Sequence, residues 1–342
     1  MPTLPSSRIS DPLDAPAIRW GVLAPGGIAR VWTAALHATT VSRVAAVGSR
    51  SLERAQAFAA EFGVERAYGS YDALVADTGV DAIYVASPHS EHHDLALLAL
   101  GAGKPVLVEK AFTRNAVEAM AVIEAAGARG LLTVEAMWTR FLPHIDVVRR
   151  CLEDGVLGEV KAVEADHGQL LFPDGPLRLA DPALAGGALL DLAIYPISFA
   201  HLALGAFTAV QAVGTLADSG VDTSETVAVT GPQGAIGTLA STMLAKTPCS
   251  ASISGTAARV EIDGWFYQPN TVRLIDVDDR EIDRYETPRR EHGLAYEAAE
   301  FARLLTAGRT ESDLVPLNET LQIMQVLDDV RAQLGVSFPG EG

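Results

Sequence analysis

Ile18-Arg19-Trp20-Gly21-Val22-Leu23-Ala24-Pro25-Gly26-Gly27-Ile28-Ala29 is the stretch that decides how this chain folds. It opens as a short strand pattern and passes into a glycine turn, and Arg30 to Ala38 continues at helical spacing. Strand, glycine turn and helix form the context of a dinucleotide fingerprint, because free N–H groups at the helix start bind pyrophosphate. Ala24, Gly26, Gly27 and Ile28 are the candidate contacts. Ala24 stands where the first glycine of a Gly-x-Gly pair normally sits, and a methyl group is expected there only at negative φ.

Outward from this unit the period repeats. Val44 to Gly48, Asp81 to Ser87, Lys104 to Glu109 and Leu131 to Ala136 have strand patterns, and Ser51 to Phe62, His92 to Ala102 and Asn115 to Ala128 have helical ones. That alternation predicts an α/β domain with a parallel, doubly wound sheet. Such sheets gather ligands outside the carboxyl ends of their strands. Ser87, Pro88 and His89 lie at that edge, as do Glu109 and Lys110, and His92 opens the following helix. His92 and His93 lack metal spacing with a carboxylate, so cofactor contact or helix capping is expected instead of a metal site.

An acid at the end of the second strand would accept the ribose hydroxyls of NAD. Here Ser49 and Arg50 stand at that place, with Arg54 one helical turn on. Donors and positive charge suit a 2′-phosphate, so NADP is expected in preference to NAD. The plainer alternative is that Ser51 caps the helix and Arg50 is solvated.

From Glu159 onward, alternating runs joined by turns predict a largely antiparallel sheet in a separate α+β domain. The expected division is a loose arm over residues 1–17, a Rossmann domain over 18–140, and a substrate-binding and dimerisation domain over 141–342. Leu189 to Leu204 and Ala295 to Leu305 are helical patterns expected to cover one face of the second sheet.

The chain has 342 residues, 49% of them hydrophobic, and a net charge of −17. That acidity argues against nucleic acid and anionic membrane as partners. Two cysteines, Cys151 and Cys249, fit a reducing cytoplasm. The prolines of the N-terminus and its lack of an apolar run exclude a signal peptide from the expectations. Ala185 to Val210 is apolar enough to suggest a membrane span, but Asp191, Pro196 and His201 interrupt it, and a buried helix is expected.

At Glu109-Lys110, with Gly26-Gly27-Ile28-Ala29 behind it and Gly103-Lys104 before it, the chain resembles the Gfo/Idh/MocA oxidoreductases. The resemblance covers nearly the whole chain. The family's Glu-Lys-Pro motif stands here as Glu109-Lys110-Ala111, which keeps the lysine and loses the proline's rigid turn. Glu135-Ala136-Met137-Trp138-Thr139-Arg140-Phe141 and Gly186-Gly187-Ala188-Leu189-Leu190-Asp191-Leu192-Ala193-Ile194-Tyr195-Pro196 are similar to the dimeric dihydrodiol dehydrogenases and NADP-dependent D-xylose dehydrogenases within it.

The resemblance implies hydride transfer between NADP and a hydroxyl-bearing carbon of a sugar or cyclic diol. Asp191 and Tyr195 are four apart and share one helix face, presenting a carboxylate and a phenol together. Tyr195 is the expected acid/base. An ordinary phenol pKa of about 10 is too high for this work, and a nearby ammonium lowers it, the role given to Lys110. Asp191 is expected to orient substrate hydroxyls or Lys110, and Glu109 to hold the strand end while lying among the cofactor contacts. Trp138 and Phe172 are expected to wall the substrate, and Arg140 either to bind its hydroxyls or to support the fold. The site is expected where the two domains meet, in a homodimer or dimer of dimers formed through the second sheet. A ketosugar or imine reductase, or a non-catalytic NADP-binding sensor, are the alternatives.

Overall fold

The computed structural model describes residues 2–288 and 293–341. The chain divides into two compact units, one comprising Ser10–Phe141 and His292–Leu321, the other Met1–Ile9, Leu142–Glu291 and Gln322–Gly342. The expected boundary near residue 140 falls at Phe141, but both units recruit segments from elsewhere in the chain.

The first unit is the doubly wound sheet. Strands β1 (Arg19–Leu23), β2 (Arg43–Gly48), β3 (Arg66–Tyr68), β4 (Ala82–Val85), β5 (Val106–Glu109) and β6 (Thr133–Ala136) are ordered β3-β2-β1-β4-β5-β6, and every neighbouring pair is parallel. β4 and β5 are buried throughout, as strands covered on both faces must be. β3 and the helix Tyr71–Val75 were not legible beforehand, being too short to show a period. Ser51 and Asn115 cap their helices by accepting the N–H groups of Arg54 and Glu118.

The helix Ala295–Thr306 belongs to this unit and packs on the helix Gly27–Thr39, which corrects the expectation that it covers the second sheet. Its Phe301 meets Trp20 at 4.9 Å, Trp20 meets Trp32 edge-on at 5.1 Å, and Trp32 stacks on Tyr84 at 4.2 Å. The apolar face of this helix was visible in sequence. Its partner, an aromatic core drawn from three distant segments, was not.

The second unit holds β7 (Val160–Gly168), β8 (Ala209–Leu216), β9 (Asp222–Thr230), β10 (Ile236–Thr242), β11 (Ala251–Gly255), β12 (Ala258–Ile262), β13 (Thr271–Asp276) and β14 (Glu281–Glu286). Their order is β14-β13-β12-β11-β7-β10-β9-β8, antiparallel except for the β7–β10 pair. The helix Ile194–Leu204 packs on β7 and β10. The helix Pro143–Glu153 packs on β13 and β14 and was not anticipated. The unit boundary falls within the helix Leu317–Leu334, also unanticipated.

The start of the chain is not loose. Arg8 bonds Asp146 at 2.7 Å and Glu153 at 2.8 Å, the Leu4 N–H donates to Asp283, and Arg150 donates to the Ser6 carbonyl. Proline content signals irregular backbone but says nothing about ion pairs to residues far along the chain. Pro182–Leu204 is long and apolar enough to cross a membrane by length and composition, yet 83% of that window is buried in the fold. Cys151 and Cys249 are buried free thiols.

Candidate active site

In the first unit the strand order reverses between β1 and β4, and this switch point is where a dinucleotide binds such a sheet. Gly26 sits there as the cap of the helix Gly27–Thr39, and no side chain caps that helix start among the described residues. A Cβ on Gly26 would lie 3.9 Å from the carbonyl oxygens of Ala24 and Ala86, filling the gap between the two strand ends, while around Gly27 nothing lies within 4 Å. Ile28 is 38% exposed on the first turn. Ala24 adopts φ 61°, so the expectation of negative φ is overturned. Its N–H donates to the Gly48 carbonyl and its own carbonyl accepts from Gly26, and these bonds hold an alanine in the region that favours glycine.

At the end of β2, Ser49 is buried and its Oγ accepts the Ser51 N–H. Arg50 is paired with Glu91 at 2.9 Å, but its side chain is 73% exposed, and an exposed pair of this kind is weak enough to exchange for a ligand. Arg54 is exposed on the adjoining helix turn. At the end of β4, the buried Ser87 Oγ has no hydrogen-bond partner among the described residues. Pro88 caps a short turn over His89–Glu91, and buried His89 meets the ring of His92 edge-on. Both His92 ring nitrogens face carbonyls, Ala111 at 2.8 Å and Ser87 at 2.9 Å, so this residue braces the Lys110 loop against the end of β4.

Lys110 follows β5, half-buried, and its peptide bond to Ala111 is cis. Its N–H donates to the Glu109 carboxylate, which also accepts from the Tyr84 hydroxyl. These bonds hold Glu109 at the strand end. Trp138 and Arg140 lie on a short turn beyond β6. Arg140 is buried and donates to Glu319 at 2.8 Å. No group of three or more metal-ligating side chains occurs among the described residues.

In the second unit Asp191 and Tyr195 are both buried. Leu189–Ala193 form a π turn that runs into the helix Ile194–Leu204, and Pro196 sits in that helix's first turn. The wider turn makes a step of four fall just short of a full revolution where an α-helix just passes it, so both side chains stay on one side. Asp191 accepts from Arg178 at 3.0 Å. Phe172, partly buried and followed by a cis bond to Pro173, packs on a small core of Leu179, Ala188, Leu192, Val221 and Met243.

Around Tyr195 the structure adds two residues that sequence reasoning missed. The His167 ring stands edge-on to Tyr195 at 5.1 Å and stacks on Tyr267 at 4.1 Å, and Tyr267 lies 5.0 Å from Tyr195. Burial above all, then neighbouring Cys249 and Tyr195, pushes the Tyr267 phenol well above its ordinary value, so Tyr267 is neutral. His167 Nε2 accepts from Gln169, whose amide also reaches the Tyr267 hydroxyl. The only sequence signal for this cluster was the placement of His167 at the end of an alternating strand.

The Gfo/Idh/MocA oxidoreductase family, with its NAD-binding Rossmann fold, matches residues 18–136, and the family's C-terminal domain matches 145–261. The trans-1,2-dihydrobenzene-1,2-diol dehydrogenase of Bos taurus is 34% identical over 333 residues, covering 94% of this chain and 98% of that protein. The chain belongs to this family. The human enzyme of the same name is 33% identical, again over 94% of this chain and 98% of its own. Among solved structures, KijD10, a 3-ketoreductase from Actinomadura kijaniata in complex with NADP and TDP-benzene, superposes with a TM-score of 0.81 at 30% identity, covering 93% of this chain and 98% of its own. As a family member the chain is an oxidoreductase, and its first unit is an NAD(P)-binding Rossmann domain.

Proposed function

We propose that the protein is an NADP-dependent dehydrogenase acting on a hydroxyl-bearing carbon of a cyclic diol or an aldose. The observation that carries this reading is Tyr195, buried beside His167 and Tyr267 on a helix shared with Asp191, in an oxidoreductase of this family. Relatives named as dihydrodiol dehydrogenases favour the diol.

The residues around the switch point fit a dinucleotide. The uncapped helix start suits a pyrophosphate, the open flank of Gly26 and Gly27 lets backbone approach it, and the unpartnered Ser87 hydroxyl offers a hydrogen bond. Ser49, Arg50 and Arg54 in place of an acid favour the 2′-phosphate of NADP. When bound, the nicotinamide accepts or returns the hydride. Tyr195 takes the proton of the substrate hydroxyl during oxidation and returns it during reduction. Lys110 supplies the positive charge that favours the phenolate, and Asp191, held by Arg178, orients substrate hydroxyls. Trp138 and Phe172 provide apolar surface for the ring.

Similarity to a 3-ketoreductase makes carbonyl reduction by the same residues the second reading. We further propose a cytoplasmic homodimer formed through the eight-stranded sheet, on whose edge strand Val213 is 71% exposed.

A panel of trans-1,2-dihydrobenzene-1,2-diol, D-xylose, inositols and keto-sugars, assayed with NADP and NAD in both directions, tests the reading. Tyr195→Phe and Lys110→Met are each expected to lower kcat by about 100-fold or more with NADPH binding intact. Full activity in either folded variant would remove that residue from the chemistry.

A further inference from the structure

The two glycines of Gly186-Gly187 and the buried acids of β9 belong to one device. Strand alternation would send Asp222 and Glu225, three residues apart, to opposite faces. The β8–β9 register slips at Thr215/Leu216, where Thr215 faces Ser224 but Leu216 faces Asp222. Thr223 is therefore an extra residue, and the bulge turns Asp222 to the side of Glu225. Asp222 is 1% exposed and Glu225 is 3% exposed.

Each acid has one well-donated oxygen. Asp222 Oδ2 accepts the Leu189 N–H at 2.5 Å, and the carboxylate also accepts from Ala188. Glu225 Oε1 accepts from Ser241, its cross-strand partner on β10. The remaining atoms, Asp222 Oδ1 and Glu225 Oε2, have no hydrogen-bond partner among the described residues. Burial first, then the charge of Asp222, hold Glu225 well above the carboxylate range, and burial raises Asp222 as well.

Gly187 completes the arrangement. It has φ 115°, and a Cβ there would stand 2.3 Å from Asp222 Oδ1. The second glycine of the motif is the space that the carboxyl occupies.

Accepting the assignment of Tyr195 made above, we propose that Asp222, with Glu225 buried on the same strand, forms a pair of positioning residues that anchors the Leu189–Ala193 turn and thereby sets the placement of Asp191 and Tyr195. The pair acts through backbone N–H groups at the start of that turn and touches neither substrate nor cofactor. Asp222 receives the N–H group that opens the helical run, where a carboxylate suits the positive end.

The test uses full-length protein labelled with 13C at the tyrosine Cζ, the Tyr195 resonance being assigned from its loss in Tyr195→Phe. Glu225→Gln keeps an acceptor for Ser241 and is expected to leave the resonance and kcat in place. Asp222→Ala and Gly187→Ala are expected to move that resonance. They should also lower kcat for trans-1,2-dihydrobenzene-1,2-diol with NADP by about tenfold or more, with little change in the KM for NADP. An unmoved resonance in either folded variant, or a shift in Glu225→Gln as large as theirs, overturns the proposal. Should both small-residue variants fail to fold, Glu225→Gln and Asp222→Asn decide, since a moved resonance in the first or an unmoved one in the second is equally fatal. Full activity of Tyr195→Phe would instead remove the assignment of Tyr195 and leave the resonance test standing.

Discussion

His167 donates its Nδ1–H to the carbonyl of Leu192 at 3.2 Å. In an α-helix that carbonyl would receive the N–H of the residue four positions on, which is Pro196 and has none. A side chain from β7 thus adds a second donor to a carbonyl that also receives the Ile194 N–H, and the same ring packs against Tyr195. The carbonyl fixes the tautomer, leaving Nε2 to accept from Gln169.

Replacing His167 should therefore affect chemistry more than binding. His167→Asn keeps a donor of similar reach and is expected to retain most of kcat. His167→Phe removes one of the donors to a buried carbonyl, which costs about 1 kcal/mol of stability. It is also expected to lower kcat with an unchanged KM for the cofactor. Equal kcat values in wild type and His167→Phe would show that the ring is packing alone.

Arg50 offers a test of cofactor preference. Arg50→Ala is expected to raise the KM for NADP by about tenfold, the equivalent of one lost charge-assisted hydrogen bond, and to leave that for NAD unchanged. Glu91→Gln frees Arg50 from its present partner and should shift the KM for NADP downward. Parallel changes for both cofactors in Arg50→Ala would deny Arg50 any contact with the 2′-phosphate.

Glu135 makes stability depend on pH. It is buried, accepts from Thr320, and burial is the main cause that lifts its carboxyl from 4.5 to about 7 against the pull of Arg140. A raised carboxyl pKa means that the folded state holds the proton more tightly, so stability falls as pH rises from 4.5 to about 7. Glu135→Gln has no proton to lose. Its melting temperature relative to wild type is expected to climb across that window, toward an advantage of about 3 kcal/mol. A pH-independent difference between the two proteins would refute this account.

Arg8 and Asp146 carry the opposite sign. Burial alone would raise Asp146, but the hydrogen bonds from Arg8, with Arg149 nearby, bring it below the usual carboxylate range. That stability is present above pH 3.8 and is lost as the pH falls through the lower folded value. Arg8→Ala is expected to cost about 2 kcal/mol near neutrality. The cost should shrink on acidification, and thermal melts from pH 7 down to pH 3 measure it. A cost that persists undiminished in acid would point to packing of the Arg8 stem instead.

Local pattern determined much of this protein. Apolar runs of strand length alternating with helical periods specify a parallel sheet, because only covered strands are apolar on both faces, and the glycine turn after β1 marks its ligand edge. The spacing of Asp191 and Tyr195 survives the π turn because four residues come close to one revolution in either helix. Tertiary structure decided what depends on partners remote in sequence. The helix Ala295–Thr306 joins the first unit because Trp20, Trp32 and Tyr84 assemble a face for Phe301. Ala24 accepts a left-handed φ because Gly48 and Gly26 hold it by hydrogen bonds. His167 reaches the Leu192 carbonyl, and Asp222 the space beside Gly187, only once β7 and β9 lie on either side of β10 and the bulge at Thr223 is in place. A gap left by one glycine acquires meaning only from the strand that comes to fill it.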